Sequence, residues 1–116
     1  MLKAQHRLTS DFEFKITRKY GKKYSYELFN CIVCRPLNYE GPAKIGFIVP
    51  VTYHKNAVRR NRIKRLFREI IRKKVSDIPD NFWLIFYPKH ACLYNENYEK
   101  INTQIDKALS EIHFIG

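Results

Sequence analysis

Residues 55–74, KNAVRRNRIKRLFREIIRKK, suit one kind of regular structure and exclude the other. Ile63, Leu66, Phe67, Ile70 and Ile71 recur at the i, i+3, i+4, i+7 spacing. At about 100° per residue this gathers them on one side of an α-helix, whereas a strand would divide them between two faces. Asn61, Lys64, Arg65, Arg68, Glu69 and Arg72 then form the opposite side. Arg59 and Arg60 fall too near the apolar side for that outer face and are assigned to the first turn or the loop before it. The helix ends in residues 75–80, because Pro79 disfavours helical geometry at the residue before it and Ser and Asp favour turns. A chain with this segment must bury one helix face and leave the other to water or to a partner.

Charge indicates what the partner is. Ten of the 22 basic residues lie in residues 55–74, with Glu69 the one acid among 11, so the segment carries +9 and the rest of the chain +2. A solvated helix face is the ordinary reading of such a pattern, but ordinary faces mix signs. Here Arg62, Lys64, Arg65, Arg68, Arg72 and Lys73 stand against Glu69 alone. Like charges this close cost helix stability, and a polyanion supplies the missing counter-charge. We read the segment as a nucleic-acid-binding helix.

The 116 residues are expected to form a single RNA-binding domain, 1–116, with one modest core. The opening MLKAQHR has no apolar stretch behind it, and the longest apolar run, 82–87, is too short to span a bilayer. A soluble, cytoplasmic protein without membrane contact is expected. Cys31, Cys34 and Cys92 are too few for a disulfide framework. Cys31 and Cys34 form a CxxC within a strand-like run, where i and i+3 point to opposite faces. A zinc site would need further ligands, of which only His90 and Cys92 offer a local pair, so the thiols are read as buried and structural and no metal is assigned to the chain.

Local signals give an order of elements. Thr9-Ser10-Asp11 caps a helix running to about Tyr20, stopped by Gly21. A β-rich run covers 24–34, a turn 37–42, a second strand 43–49 and a buried strand 82–87. A last helix, 95–112, is capped by Asn95 and buries Ile101, Ile105, Leu109 and Ile112. The order is α-β-β-α-β-α, with room for a third strand in the first β region, and the class is α+β.

Residues 56–69, NAVRRNRIKRLFRE, match without a gap an NAV-x-RNR-x-KR-x-x-RE segment, and on it the chain resembles the protein subunit of bacterial ribonuclease P. Weaker similarity covers Arg7-Leu8, Phe14, Gly21-Lys22, Phe29, Gly46 and Lys89. The resemblance implies an α-β-β-β-α-β-α sandwich, a four-stranded sheet with helices, and a left-handed βαβ crossover. It implies a subunit of a ribonucleoprotein endoribonuclease whose catalytic RNA, using Mg2+ bound chiefly by that RNA, removes the 5′ leader of precursor tRNA. The protein would bind the catalytic RNA and hold the leader. A protein without catalytic residues agrees with the dispersed acids of this chain, since a two-metal nuclease clusters carboxylates.

The resemblance and the residue types together assign RNA binding to Asn56, Arg59, Arg60, Asn61, Arg62, Lys64, Arg65, Arg68 and Arg72. The arginines offer forked donors to phosphate and Lys64 a point charge; Asn61 serves either RNA or a helix cap. Leader-cleft candidates are Phe14, with a core aromatic as its alternative, Arg18, Phe29, Ile32 and Lys89. Arg18 and Ile32 stand where relatives carry aromatics, Pro88 where an Arg is common, and the loop 50–55 lacks the usual lysine-rich sequence. A general structural RNA- or ribosome-binding protein is the alternative function. DNA binding by helix-turn-helix is not expected, since no partner helix directly precedes Asn56.

Overall fold

The computed structural model describes residues 2–94 and 96–112. The chain runs α1 (Asp11–Tyr20), β1 (Lys22–Ser25), β2 (Phe29–Cys34), β3 (Lys44–Phe47), α2 (Ala57–Arg72), β4 (Trp83–Pro88) and α3 (Tyr98–Glu111), with short 3-10 turns between. The four strands form one sheet in the order β1-β2-β4-β3. β2 pairs antiparallel with β1 and with β4, whereas β3 and β4 are parallel. Parallel neighbours need a crossover, and α2 supplies it.

The β-rich run expected over 24–34 divides in two, and the division supplies the third strand for which this region left room. β1 begins at Lys22, and Tyr26-Glu27-Leu28 turns the chain into β2, with the Tyr26 N–H donating to the Phe29 carbonyl at 2.9 Å. The last helix begins at Tyr98, where the Asn97 side chain accepts from the Lys100 N–H at 3.1 Å. The cap assigned to Asn95 is thereby corrected; Asn95 lies outside the described residues. Asn61 caps nothing, because α2 starts at Ala57 and the Asn56 side chain caps it, accepting from the Val58 N–H at 2.8 Å.

Strand parity sorts the side chains into two layers. Inward go Phe29, Cys31 and Val33 of β2, Ile45 and Phe47 of β3, and Leu84 and Phe86 of β4. They meet Ile63, Phe67, Ile70 and Ile71 of α2 and Ile101, Ile105 and Ala108 of α3. Phe67 sits at the centre, edge-on to Phe29 at 5.8 Å and 6.3 Å from Phe86. The other sheet face carries Asn30, Ile32 and Cys34 of β2 and Trp83, Ile85 and Tyr87 of β4. Helix α1 crosses part of it, packing Phe14 and Ile16 with Leu8 over Trp83 and Ile85.

Two devices fix α1. Ser10 and Glu13 form a reciprocal capping box, and the other Glu13 oxygen takes the Lys44 ammonium of β3 at 2.7 Å. Gly21 ends the helix in extended backbone, φ −78° and ψ 157°, not in the left-handed turn that favours glycine. Space demands the glycine: a Cβ there would lie 2.4 Å from Ile32 Cγ2.

Candidate RNA interface

The outer side of α2 is the basic face that its periodicity predicts. Asn61, Arg62, Arg65, Arg68 and Arg72 are exposed and Lys64 is half-buried. Its first turn holds no acid, so the partial positive charge of the helix N-terminus adds to the arginines. Lys64 and Arg65 have no ion-pair partner among the described residues. The Arg68 guanidinium lies over the Phe47 ring at 5.8 Å; burial, then Arg7 and Arg65, hold its pKa below the usual arginine value. Arg72 is engaged by Glu69 through two bonds, 2.5 and 3.3 Å. Lys73 turns toward Tyr98 at 5.4 Å and Lys74 pairs with Asp106 at 2.5 Å, so the end of the basic run is tied to α3.

The first turn of α2 is built differently. Arg60 donates to the carbonyls of His54 and Lys55 at 2.8 and 2.9 Å, holding the loop that leads into the helix. Arg59 and Arg62 converge on Glu96, at 3.4 and 3.8 Å. The same carboxylate accepts from the Tyr53 hydroxyl at 2.9 Å. Tyr53 is buried, and burial, reinforced by Glu96, pushes its pKa up. The partners of Glu96 lie 34 to 43 residues before it, beyond any local signal.

The sheet face left open beside α1 is a groove of about 500 Å³. Asn30, Ile32, Tyr87 and Lys23 line it, with the 50–53 loop and Lys89 at its sides. Ile32 and Lys89 both line this groove, and the Lys89 ammonium donates to the Tyr26 carbonyl at 2.5 Å and to Ser25 Oγ at 2.9 Å. Arg18 is exposed; burial raises the Tyr87 pKa and the nearby Arg18 guanidinium opposes that shift.

Phe29 does not reach the groove. It is wholly buried on the opposite sheet face, which corrects its assignment as a cleft residue. Phe14 is half-buried over Gly46 and lines a separate hollow with Leu8, Phe47 and Arg68. Lys23, Asn30, Tyr53 and Tyr87 are groove residues that the sequence reading missed. Parity from Ile32 identifies Asn30, and Asn30 pairs directly with Tyr87 across the strands. The Asn30 Oδ1 is buried with no hydrogen-bond partner among the described residues.

The thiols are buried. Burial pushes Cys31 far up and Cys92 up to about 12. Among the described residues no three His, Cys, Asp or Glu side chains come together to hold a metal, and no helix is long and apolar enough to cross a membrane.

An α+β domain with a basic crossover helix on one side of a mixed sheet and a groove on the other defines a small RNA-binding protein. The chain belongs to the bacterial ribonuclease P protein family, whose model, described as Ribonuclease P, matches residues 2–113. It is thus a subunit of the ribonucleoprotein endoribonuclease that matures tRNA 5′ ends. The ribonuclease P protein component of Finegoldia magna is 37% identical over 83 residues, 72% of this chain and 70% of that one. That of Fusobacterium nucleatum is 36% identical over 100 residues, 85% and 82%. The solved ribonuclease P protein of Thermotoga maritima superposes with a TM-score of 0.80 at 24% identity, covering 92% of this chain and 97% of that one. The Staphylococcus aureus protein gives 0.76 at 22%, covering 90% and 93%. These two structures bear on the fold.

Proposed function

We propose that the outer face of α2 grips the catalytic RNA of ribonuclease P while the groove beside α1 receives the single-stranded 5′ leader of precursor tRNA. The observation that carries this is the run Arg62, Arg65 and Arg68, exposed on one face of α2, with Lys64 and Arg65 in no ion pair among the described residues. Forked guanidinium donors spaced along a helix match successive phosphates. The groove supports the second half. Its floor offers Ile32 and Tyr87 to a base, Asn30 offers an amide to a base edge, and Lys23 offers a charge to the backbone.

In this reading the protein performs no bond-breaking. It raises the local concentration of substrate at the RNA by holding both partners. Magnesium, where the RNA holds it, supplies the activated water and stabilises the leaving oxygen; this chain's residues bind and orient. The cytoplasm is the proposed compartment.

The test is cleavage of precursor tRNA by the catalytic RNA with and without this protein at near-physiological magnesium. Protein-dependent stimulation that favours leader-bearing over mature tRNA is expected. No stimulation sinks the reading, cleavage by the protein alone assigns the chemistry to the chain, and equal binding to unrelated RNAs returns the protein to the general RNA-binding class.

A further inference from the structure

One carboxylate joins three segments at the start of α2. Glu96, its side chain 11% exposed, receives Tyr53 from the groove loop and Arg59 and Arg62 from the helix. Two of the five ion pairs found among the described residues end on it. Both are loose, at 3.4 and 3.8 Å, and the arginine side chains remain 37% and 69% exposed. Long, exposed pairs of this kind are weak and exchange readily. An RNA phosphodiester offers the same guanidinium donors two non-bridging acceptor oxygens and one negative charge, so it can replace the carboxylate as their partner.

We propose that Glu96 is an internal stand-in for RNA phosphate, holding Arg59 and Arg62 until a phosphate placed at the same point takes them over. The inference rests on the reading of α2 as the RNA-gripping helix. Glu96 is then a positioning residue for those arginines, and selectivity follows from it. An RNA that docks loosely must give up part of its binding to displace the carboxylate, whereas the catalytic RNA, held as well by Lys64, Arg65 and Arg68, places a phosphate there at little further cost. The Tyr53 hydroxyl keeps a partner on the carboxylate when the arginines leave, so the half-buried charge is not orphaned. Because Tyr53 also walls the groove, the exchange occurs where the two RNA sites adjoin.

Glu96→Gln separates charge from hydrogen bonding, since the amide oxygen still accepts from Tyr53. The assay is binding of the full-length protein to the catalytic RNA and to an unrelated structured RNA across a salt series. The variant is expected to bind the unrelated RNA about 3- to 10-fold tighter, as two weak competing pairs are removed. Its log–log salt slope should steepen by about 0.7 to 1.8, one or two further phosphate contacts. The catalytic RNA should gain less, so the ratio of affinities falls. Arg62→Ala alone should flatten the slope for the catalytic RNA and leave that for the unrelated RNA unchanged. Added to Glu96→Gln, it should restore a slope near wild type for the unrelated RNA. An unchanged slope and affinity for unrelated RNA overturns the proposal, as does equal tightening for both RNAs. A lower melting temperature with weaker binding to both makes Glu96 structural and also overturns it. Arg65→Ala separates the two levels: if it weakens catalytic-RNA binding, the reading of α2 stands whatever Glu96 does, and if it does not, both fall.

Discussion

Replacing Arg65 and Arg68 together with alanine asks whether the outer face of α2 exists for folding or for RNA. Both side chains are exposed. Among the described residues Arg65 has no hydrogen bond or ion pair to lose, while Arg68 loses its place over Phe47 at 5.8 Å, worth about 0.5–1 kcal/mol at such a site. Against this, alanine is the better helix former. The repulsion between the two guanidinium groups, one of the causes of the depressed Arg68 pKa after burial and Arg7, also disappears. The net change should lie within about 1 kcal/mol, a few degrees in Tm for a domain of this size.

The binding side is far larger. A hydrogen bond to a charged group contributes about 1.5–3 kcal/mol, so losing two weakens RNA binding by roughly a hundredfold or more. Two fewer phosphate contacts flatten the salt slope by about 1.4–1.8. Fluorescence anisotropy against the catalytic RNA at several salt concentrations, beside thermal melts by circular dichroism, measures both. A Tm drop of more than about 10 °C would show the face to be structural. An unchanged salt slope in a folded variant would show that the phosphates lie elsewhere.

Two further outcomes follow from the α1 side of the sheet. Gly46→Ala would put a Cβ 2.4 Å from Phe14 Cε1 and 2.6 Å from its Cζ; urea melts should show a loss of about 1–3 kcal/mol from overpacking, largely recovered by adding Phe14→Leu. No loss would mean that the Phe14 ring moves aside freely. For Glu13, burial pushes the carboxyl up, but Lys44 and the Thr9 and Ser10 N–H groups outweigh it and hold it below its ordinary 4.5. A depressed folded pKa contributes stability that is present above the unfolded value and lost as pH falls below it. Wild type should therefore lose Tm faster than Glu13→Gln as pH drops below about 4.5, and parallel curves would remove Glu13 from the account.

What was legible in the sequence is what local chemistry determines. The 3.6-residue period gives both faces of α2, and Ser10 with Glu13 announces the start of α1, because a helix and its cap are decided within a few residues. The third strand was anticipated, but the place of the turn between β1 and β2 was not legible. Tyr26-Glu27-Leu28 contains no glycine, proline or asparagine, and its turn is held from afar by the buried Leu28, whose N–H donates to Gln104 at 3.0 Å. The cap of α3 failed for another reason: Asn95 and Asn97 are the same residue type two positions apart, and propensity cannot choose between them. Glu96 lay beyond reach because its partners are set by the meeting of three chain segments.

Phe29 failed on a rule that one strand suffices to apply. Side chains three apart in a strand point to opposite faces, which separates Cys31 from Cys34 and equally forbids Phe29 and Ile32 from lining one groove. With Ile32 placed in the groove, Asn30 must join it and Phe29 must enter the core, where it meets Phe67 and Phe86. β2 and β4 thus serve two masters in alternation: odd positions of β2 hold the core and even positions face the groove. A one-residue slip in pairing would exchange Phe29 for Asn30 and drive an amide among aromatic rings. The burial of Phe29, Cys31 and Val33 therefore fixes the register on which the groove depends, while Asn30 and Ile32 remain free to vary in chemistry. That division lets the residue at position 32 change in chemistry without cost to the fold.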